Sequence, residues 1–398
     1  MQRDKRPSEI LPSPCRYSFP LSWRWGLLCL FLIALLAPSL SFSAEEPRRA
    51  PYESALLIEA ETGQVLFAHE PARRQLPASI VKMMVMLLVM EAVERREIDL
   101  DDPIRTSARA SRIGGSQVYL KEGEVFPLRD LLKAMVIASA NDAAVAIAEK
   151  VAGAVEEFVA MMNARARELG MTGTHYANVH GLPPGPGQEE NFTTARDIAL
   201  LARQLTRFPL LLKWGSTVRD EFRGGKFMLY NTNRLVRTFP GVDGFKTGHY
   251  GEAGFNLCAT AEKGGLRLIS VVLGSPSSPL RFRETEKLLS MGFRLYKKVT
   301  LFSKGDPVGN TIPVVKGVKK TTTLVAAEPV TFLIQRKDER QVSTRRKIPE
   351  PLEAPLAKGQ RVGELEVVLR DQVIKAFPLL ASEEIARKSW FKRLFDWW

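Results

Sequence analysis

Cysteine is scarce in this 398-residue chain, which contains only three. Two of them, Cys15 and Cys29, fall in an N-terminal segment that resembles an export signal, so Cys258 would be the one thiol of the mature protein. An exported chain with a single cysteine has no internal disulfide and must rely on its hydrophobic core. With 45% hydrophobic and 25% charged residues, the composition is that of an ordinary globular protein of roughly two domains.

Histidine is also rare, and its four residues show no spacing typical of metal ligands. The sequence therefore predicts neither a metal site nor a cofactor. It also contains no internal repeat and no low-complexity tract. The net charge of +13 suits an anionic partner such as a membrane surface or an acidic polymer. No basic stripe interleaved with aromatic residues accompanies that charge, so nucleic-acid binding is not expected.

The N-terminus carries the longest apolar run of the chain. Basic residues precede an apolar core from Trp25 to Ala37, and the small residues Ser41 and Ser43 follow it. This order is typical of a secretory signal, so we expect residues 1–43 to be removed by cleavage near Ala44. A retained N-terminal anchor is the alternative, although the apolar core is short for a membrane span.

A single charge, that of Lys82, stands in the apolar stretch from Ile80 to Met90. Such a stretch predicts a buried helix, and burial disfavours the charged form of a lysine amine. Ser79 stands one helical turn before Lys82, so the hydroxyl and the amine project from the same face. A weak nucleophile beside a desolvated amine is the pair that a covalent hydrolase needs. Taken alone, the pattern also fits a serine N-cap followed by a snorkelling lysine.

Helices in the middle of the chain, with strands on both sides, predict an antiparallel sheet with helices packed on it. An early hairpin is expected within residues 54–67. Three late strands are expected at Gly244–His249, Gly254–Ala261 and Leu266–Leu273. A helix over Glu284–Leu295 closes this domain, to which we assign residues 44–297. Short β runs from residue 298 to 377 predict a small all-β domain, which makes the whole chain α+β.

Two further motifs follow the Ser79-x-x-Lys82 pattern. Ser139-Ala140-Asn141 stands between two apolar helices, and Lys246-Thr247-Gly248 lies on a predicted strand that precedes a hairpin. Each motif alone is weak, since Ser-Ala-Asn-Asp is also a good helix cap. The three motifs in this order, each in its expected context, are typical of enzymes that acylate a serine.

On these motifs the chain resembles the low-molecular-weight penicillin-binding proteins, which are D-alanyl-D-alanine carboxypeptidases of the peptidase S11 family. The likeness continues at Asn178–Leu182, Thr194–Asp197, Asn231–Arg234 and Gly241–His249. It implies the β-lactamase/DD-peptidase fold, in which helices flank an antiparallel sheet, followed by a small β domain and a C-terminal amphipathic helix. Ala140 replaces the glycine of many relatives, which is a change of one small residue for another.

The resemblance implies a catalytic role for four residues. Ser79 would attack the carbonyl of the penultimate D-alanine of a peptidoglycan stem peptide and release the terminal D-alanine. Lys82, held neutral by burial and by positive neighbours, would take the hydroxyl proton. Ser139 and Lys246 would lie on the far side of the cleft and pass a proton to the leaving amine. β-Lactam antibiotics would act as covalent inhibitors at the same serine.

Substrate-binding roles are implied for the remaining motif residues. Asn141 would hydrogen-bond the peptide backbone of the substrate, while Thr247 and a nearby cation would suit its terminal carboxylate. Lys246 belongs to this group as well as to the catalytic one. The backbone N–H groups of Ser79 and His249 would form the oxyanion hole. Gly248 would let a substrate strand lie close to this edge of the sheet.

Three alternatives share the same fold. A class A β-lactamase needs a deacylating glutamate, usually with an asparagine four residues later. Four residues after Glu168, Glu189 and Glu190 the chain has threonine. A non-catalytic peptidoglycan-binding protein would be expected to have lost a catalytic residue, and this sequence has them all. A related endopeptidase would generally lack the second domain.

The last residues predict a helix at a membrane surface. From Ser382 the chain can be helical to Trp398, with aromatic residues on one side and cations on the other. At roughly 25 Å such a helix is too short and too charged to span a bilayer, so residues 378–398 are assigned as an interfacial anchor. A helix docked on the β domain is the alternative. We thus expect an exported enzyme on the periplasmic side of the bacterial cytoplasmic membrane.

Overall fold

The computed structural model describes residues 50–389 of the chain. The expected signal segment, 1–43, and the aromatic residues at 390–398 lie outside this range. Among residues 50–389, no helix is both long enough and apolar enough to cross a membrane.

The first domain consists of a sheet, whose strands come from both ends of the domain, and a group of helices that lie between those strands in the chain. Its elements in chain order are β1 (Ser54–Glu59), β2 (Val65–His69), α1 (Lys82–Glu94), β3 (Pro103–Arg105), α2 (Ala108–Arg112), β4 (Val125–Pro127), α3 (Leu128–Ala138), α4 (Asn141–Ala152), α5 (Val155–Glu168), α6 (Ala195–Leu205), α7 (Pro209–Gly215), β5 (Arg219–Phe222), β6 (Phe227–Tyr230), α8 (Leu235–Thr238), β7 (Val242–Tyr250), β8 (Gly254–Lys263), β9 (Leu266–Ser275) and α9 (Ser278–Leu295).

Five strands form one antiparallel sheet in the order β2-β1-β9-β8-β7. The early hairpin therefore pairs with the late strands, as expected from strands at both ends of a helical region. Cys258 lies in β8, fully buried. Helix α9 packs on one face of the sheet, and the remaining larger helices cover the other face. The predicted α+β class is confirmed.

Helix α1 is the centre of the helical part. From Met83 to Met90 no side chain is more than 7% exposed, because the helix contacts α3, α4, α5 and α6 as well as strand β7. The apolar run of the sequence is thus accounted for by burial on every side. Helix α9 begins at Ser278, earlier than the predicted Glu284, since Ser277 caps it and accepts a hydrogen bond from the N–H of Leu280.

The second part of the chain is all-β, apart from one 3₁₀ segment at Arg336–Gln341. Its strands are β10 (Tyr296–Phe302), β11 (Ile312–Val315), β12 (Thr321–Thr322), β13 (Leu324–Ala326), β14 (Val330–Gln335), β15 (Val342–Lys347), β16 (Leu352–Glu353), β17 (Arg361–Leu369) and β18 (Gln372–Ala381). These strands enclose a separate hydrophobic core, to which Phe377 and Leu379 contribute fully buried side chains.

Both ends of this β domain differ from the sequence-based boundaries of 298 and 377. Strand β10 already begins at Tyr296, which pairs with Gln335 of β14. At the other end β18 continues to Ala381, so the domain does not stop at residue 377.

The helix predicted to begin at Ser382 is wrong for the described residues. The chain from 382 to 389 is not helical. Ile385 is fully buried and pairs with Leu356, and Arg387 pairs with Gly317. These contacts hold the segment against the β domain in an extended form, so any helix of the tail begins beyond Ser389.

Candidate active site

The nucleophile candidate lies on a 3₁₀ turn, Ala78–Val81, that leads directly into α1. Side chains at i and i+3 of a 3₁₀ helix eclipse one another, which places the Ser79 hydroxyl over the Lys82 amine. The Lys82 Nζ atom is 3.0 Å from the Ser79 Oγ atom, and Lys82 is fully buried. The pairing predicted from the sequence is therefore present in the structure.

The Lys82 amine is also anchored to a distant segment. It donates a hydrogen bond of 2.6 Å to the backbone carbonyl of His180. Burial holds the pKa of Lys82 well below its usual value, and the positive charge of Lys246 lowers the pKa further, while Asp142 acts in the opposite direction. The net effect shifts the Lys82 amine towards its neutral form, which is the form that can accept a proton.

Gly181 explains how the His180 carbonyl comes so close to the nucleophile. Its φ of +78° suits glycine, and a Cβ atom there would lie 2.1 Å from the carbonyl oxygen of Ala78. The Asn178 side chain fixes the turn by accepting a hydrogen bond of 2.7 Å from the Gly181 N–H. The loop over residues 178–182 can therefore pack directly against the turn that carries Ser79.

The second motif lies at the junction of α3 and α4, as the sequence predicts. Ser139 ends α3 in the left-handed region, with φ of 65°, and Asn141 begins α4. The Asn141 amide donates to the carbonyl of Gly114 at 2.7 Å, whereas its Oδ1 atom accepts no hydrogen bond from any residue between 50 and 389. A buried carbonyl oxygen with an open acceptor position suits the N–H of a bound peptide.

Asp142, which the sequence analysis did not single out, holds the loop that precedes β4 next to this motif. Its buried carboxylate accepts hydrogen bonds from the N–H groups of Val118 and Leu120. The loop before β4 is thereby held against the start of α4, beside Asn141.

The third motif lies on β7, at the edge of the sheet. The fully buried Lys246 donates a hydrogen bond to the backbone carbonyl of Thr247. The Thr247 hydroxyl in turn donates to the Thr232 hydroxyl. Burial, with the charge of Arg281, lowers the pKa of Lys246 to about 7. A Cβ atom at Gly248 would lie 2.4 Å from the carbonyl oxygen of Pro77, so β7 passes directly beside the nucleophile turn.

His249 and Arg281 complete this edge. The His249 ring stacks on Phe255 at 3.7 Å, and its Nδ1 atom lies 2.9 Å from the carbonyl oxygen of Gly254. The Arg281 guanidinium donates to the carbonyls of Gly248 and Asn256. Its Nε atom has no hydrogen-bond partner in the described part of the chain. Arg281 is the cation near Thr247 that the sequence could not identify, because it comes from α9 and no motif surrounds it.

The three glutamates considered for β-lactamase chemistry are engaged elsewhere. Glu168 pairs with Arg165, Glu189 with His175, and Glu190 accepts a hydrogen bond from Tyr250. Within residues 50–389 no group of three His, Cys, Asp or Glu side chains is arranged to hold a metal ion.

A serine hydroxyl beside a buried lysine amine, at the start of a helix next to an antiparallel sheet, is the arrangement of a hydrolase of the serine–lysine class. Residues 41–277 match the sequence family described as D-alanyl-D-alanine carboxypeptidase, peptidase S11. Residues 296–387 match the C-terminal domain of penicillin-binding protein 5. The chain belongs to the peptidase S11 family, and it is a D-alanyl-D-alanine carboxypeptidase.

Known relatives extend over nearly the whole chain. The D-alanyl-D-alanine carboxypeptidase DacF of Bacillus subtilis (strain 168) is 36% identical over 384 residues, which are 93% of this chain and 97% of the relative. The crystal structure of penicillin-binding protein 5 from Haemophilus influenzae has a TM-score of 0.71 at 31% identity, covering 86% of this chain and 99% of that one. Penicillin-binding protein D2 of Listeria monocytogenes, solved in its ampicillin-bound form, has a TM-score of 0.56 at 32% identity, covering 61% and 97%.

Proposed function

We propose that this carboxypeptidase removes the terminal D-alanine from peptidoglycan stem pentapeptides through an acyl-enzyme on Ser79. The observation that carries the proposal is the fully buried Lys82 amine, 3.0 Å from the Ser79 hydroxyl. A lysine whose pKa is lowered by burial can serve as the base for a serine nucleophile.

In the acylation step, the neutral Lys82 amine uses one N–H to hold the His180 carbonyl and turns its lone pair to the Ser79 hydroxyl. The Ser79 proton passes to Lys82 as the Oγ–C bond forms at the penultimate D-alanine. The N–H groups of Ser79 and His249 stabilise the oxyanion. The C–N bond then breaks, and the proton that Lys82 accepted passes through Ser139 and Lys246 to the leaving amine, which returns Lys82 to its neutral form. Water hydrolyses the ester in the second half-reaction.

Recognition of the substrate uses polar groups of the second and third motifs together with Arg281. The Oδ1 atom of Asn141 accepts an N–H of the peptide. Lys246 and the Arg281 guanidinium give the strand edge beside Thr247 the cationic character that suits a terminal carboxylate. Gly248 lets β7 lie directly beside the nucleophile turn, so a substrate placed along β7 would be next to Ser79. β-Lactams have a reactive amide in the place of the D-Ala-D-Ala bond, and they are expected to acylate Ser79 and to be hydrolysed slowly.

The proposal is tested by comparing two substrates with purified protein. A peptide ending in D-Ala-D-Ala should release free D-alanine much faster than a cross-linked peptidoglycan dimer is cleaved, because the carboxylate site needs a free C-terminus. Liquid chromatography of the products measures both. Preferential cleavage of the dimer would make the protein an endopeptidase. Rapid multiple turnover of penicillin, with no D-alanine released from the peptide, would make it a β-lactamase.

We further propose that the enzyme is exported, processed near Ala44 and held at the outer face of the cytoplasmic membrane by its C-terminus. A chain ending at Ser389 keeps the buried Ile385 and removes only the aromatic tail. This chain is expected to move from the membrane fraction to the soluble fraction with its activity intact, and the intact mass should show the N-terminus near Ala44. Retention of the truncated chain on membranes as fully as the intact protein would contradict the anchor, and a mature protein that keeps Met1 would contradict processing.

A further inference from the structure

The β domain carries an exposed loop beside the point at which the described chain ends. Residues Val315–Lys320, which are the last residue of β11 and the connection from β11 to β12, are here called the basic loop. Val318 is 56% exposed and Val315 is 39% exposed, although both are apolar. Three lysines flank them, namely Lys316, Lys319 and Lys320. Isolated exposed valines are ordinary, but two of them among three lysines form an apolar tip within a cationic ring.

The last described residues are hydrogen-bonded to this loop. The Val318 N–H donates to the carbonyl of Ala386 at 2.9 Å, and the Lys388 N–H donates to the carbonyl of Lys316 at 2.8 Å. The buried Ile385 fixes the segment in place. The chain therefore leaves the domain at the basic loop, and the sequence that follows Ser389 contains Trp390, Phe391 and four further Leu, Phe and Trp residues.

The loop is also at the end of the β domain that lies away from the peptidase domain. The first residues of β18 share a cleft with Tyr296 and with Gly63 of the peptidase domain. Strand β18 then runs ten residues, or about 33 Å. At its far end Ala381 pairs with Leu324 of β13, the strand that follows the basic loop and β12 in the chain.

The end of the β domain that carries the basic loop has more cations than carboxylates. Glu353 lies within ion-pair distance of Lys316 and Arg387, and Glu383 pairs with Lys319. Lys320 adds a further positive charge, and Glu384 adds one carboxylate. Cations thus remain in excess around the two valines, which favours an anionic surface into which an apolar tip can insert.

We propose that the basic loop is a second lipid contact, at which Val318 enters the interface of an anionic membrane while the surrounding lysines meet lipid phosphates. This inference rests on the membrane location proposed above and not on the chemistry at Ser79. Two contacts at one end of the domain hold a protein at a bilayer more firmly than one. They also orient β18 so that it runs away from the membrane, with the peptidase domain at the end of the strand that is far from the bilayer.

The test is binding of the full chain to vesicles of phosphatidylcholine and phosphatidylglycerol, measured by co-sedimentation. Val318→Ser removes the apolar tip without changing charge, and it is expected to weaken partitioning roughly fivefold. Val318→Leu is expected to strengthen partitioning. Val373→Ser is the matched control, because Val373 is 46% exposed in the same domain but at the opposite end of β18. This control should bind as the parent chain does.

A charge variant separates lipid insertion from attraction to any polyanion. Lys320→Glu is expected to weaken binding to anionic vesicles and to leave binding to pure phosphatidylcholine unchanged. If Lys320→Glu weakens binding while both Val318 variants bind as the parent chain does, the loop meets a polyanion without insertion and the proposal is overturned. Equal losses for Val318→Ser and Val373→Ser would also overturn it. Failure of the parent chain to bind vesicles would overturn the loop and the anchor together, while D-alanine release reports separately on the chemistry.

Discussion

Replacement of Ser79 by alanine is expected to abolish both the release of D-alanine and covalent labelling by penicillin. The substitution removes the only atom that forms the proposed ester, so turnover should fall by at least about 10⁴-fold. Mass spectrometry of the penicillin-treated parent protein should show one adduct, and peptide mapping should place it on Ser79. The Ser79→Ala protein should carry none.

The control for this experiment is Ser270→Ala. Ser270 is fully buried in β9, and its hydroxyl has no hydrogen-bond partner among residues 50–389. Its loss is expected to leave labelling and turnover unchanged. The Ser79→Ala change itself should alter the free energy of unfolding by less than about 1 kcal/mol, since no cap hydrogen bond of the turn uses the Ser79 side chain. A penicillin adduct on another residue, or undiminished labelling of Ser79→Ala, would remove Ser79 from the mechanism.

The pairing of Ser79 with Lys82 could be predicted from the sequence because it depends on local spacing. An apolar run without a polar face requires burial, and residues three apart on a helical turn face the same way. The structure adds that the turn is 3₁₀ rather than the first turn of α1, which aligns the two side chains more directly. The sheet could be predicted for a similar reason, since alternating runs at both ends of a helical region have to pair.

The rest of the site depends on contacts between distant segments. The His180 carbonyl that holds the Lys82 amine is a backbone atom, so no side-chain pattern marks it. Arg281 reaches β7 from the helix on the other face of the sheet. Neither contact has a local signal. Both follow from the way the loop over 178–182 and helix α9 pack on the sheet.

The tail shows the opposite case, in which a local signal is overridden. Ser382 followed by two glutamates is a good N-terminal helix pattern. In the structure Ile385 is buried in the core of the β domain, which is more stabilising than an exposed position on a helix, and pairing with Leu356 satisfies its backbone. Burial and strand pairing outweigh a cap whose contribution is about 1 kcal/mol.

Replacement of Lys82 by methionine is expected to lower the rate of acylation by penicillin by about 10³-fold or more. Methionine fills a similar volume in the buried site but cannot accept the Ser79 proton. In the parent protein the rate should fall as the pH decreases through the lowered pKa of Lys82, because the protonated amine is no longer a base. That dependence should be missing from the residual activity of the variant. Stopped-flow measurement of acylation across a pH series determines both.

The stability of the same variant distinguishes a lost base from a damaged fold. Lysine in the unfolded chain has a pKa near 10.5, and the folded protein holds the pKa of Lys82 well below that value. The unfolded state therefore binds the proton more tightly, and the parent protein loses stability as the pH falls from 10.5 towards the folded value. Lys82→Met removes that loss, so its melting temperature at neutral pH should be at least that of the parent. Lys133→Met is the control: it breaks a 2.9 Å ion pair between Lys133 of α3 and Asp220 of β5, and it should leave acylation unchanged. A Lys82→Met protein that melts normally and still acylates at the parental rate would show that another group takes the Ser79 proton.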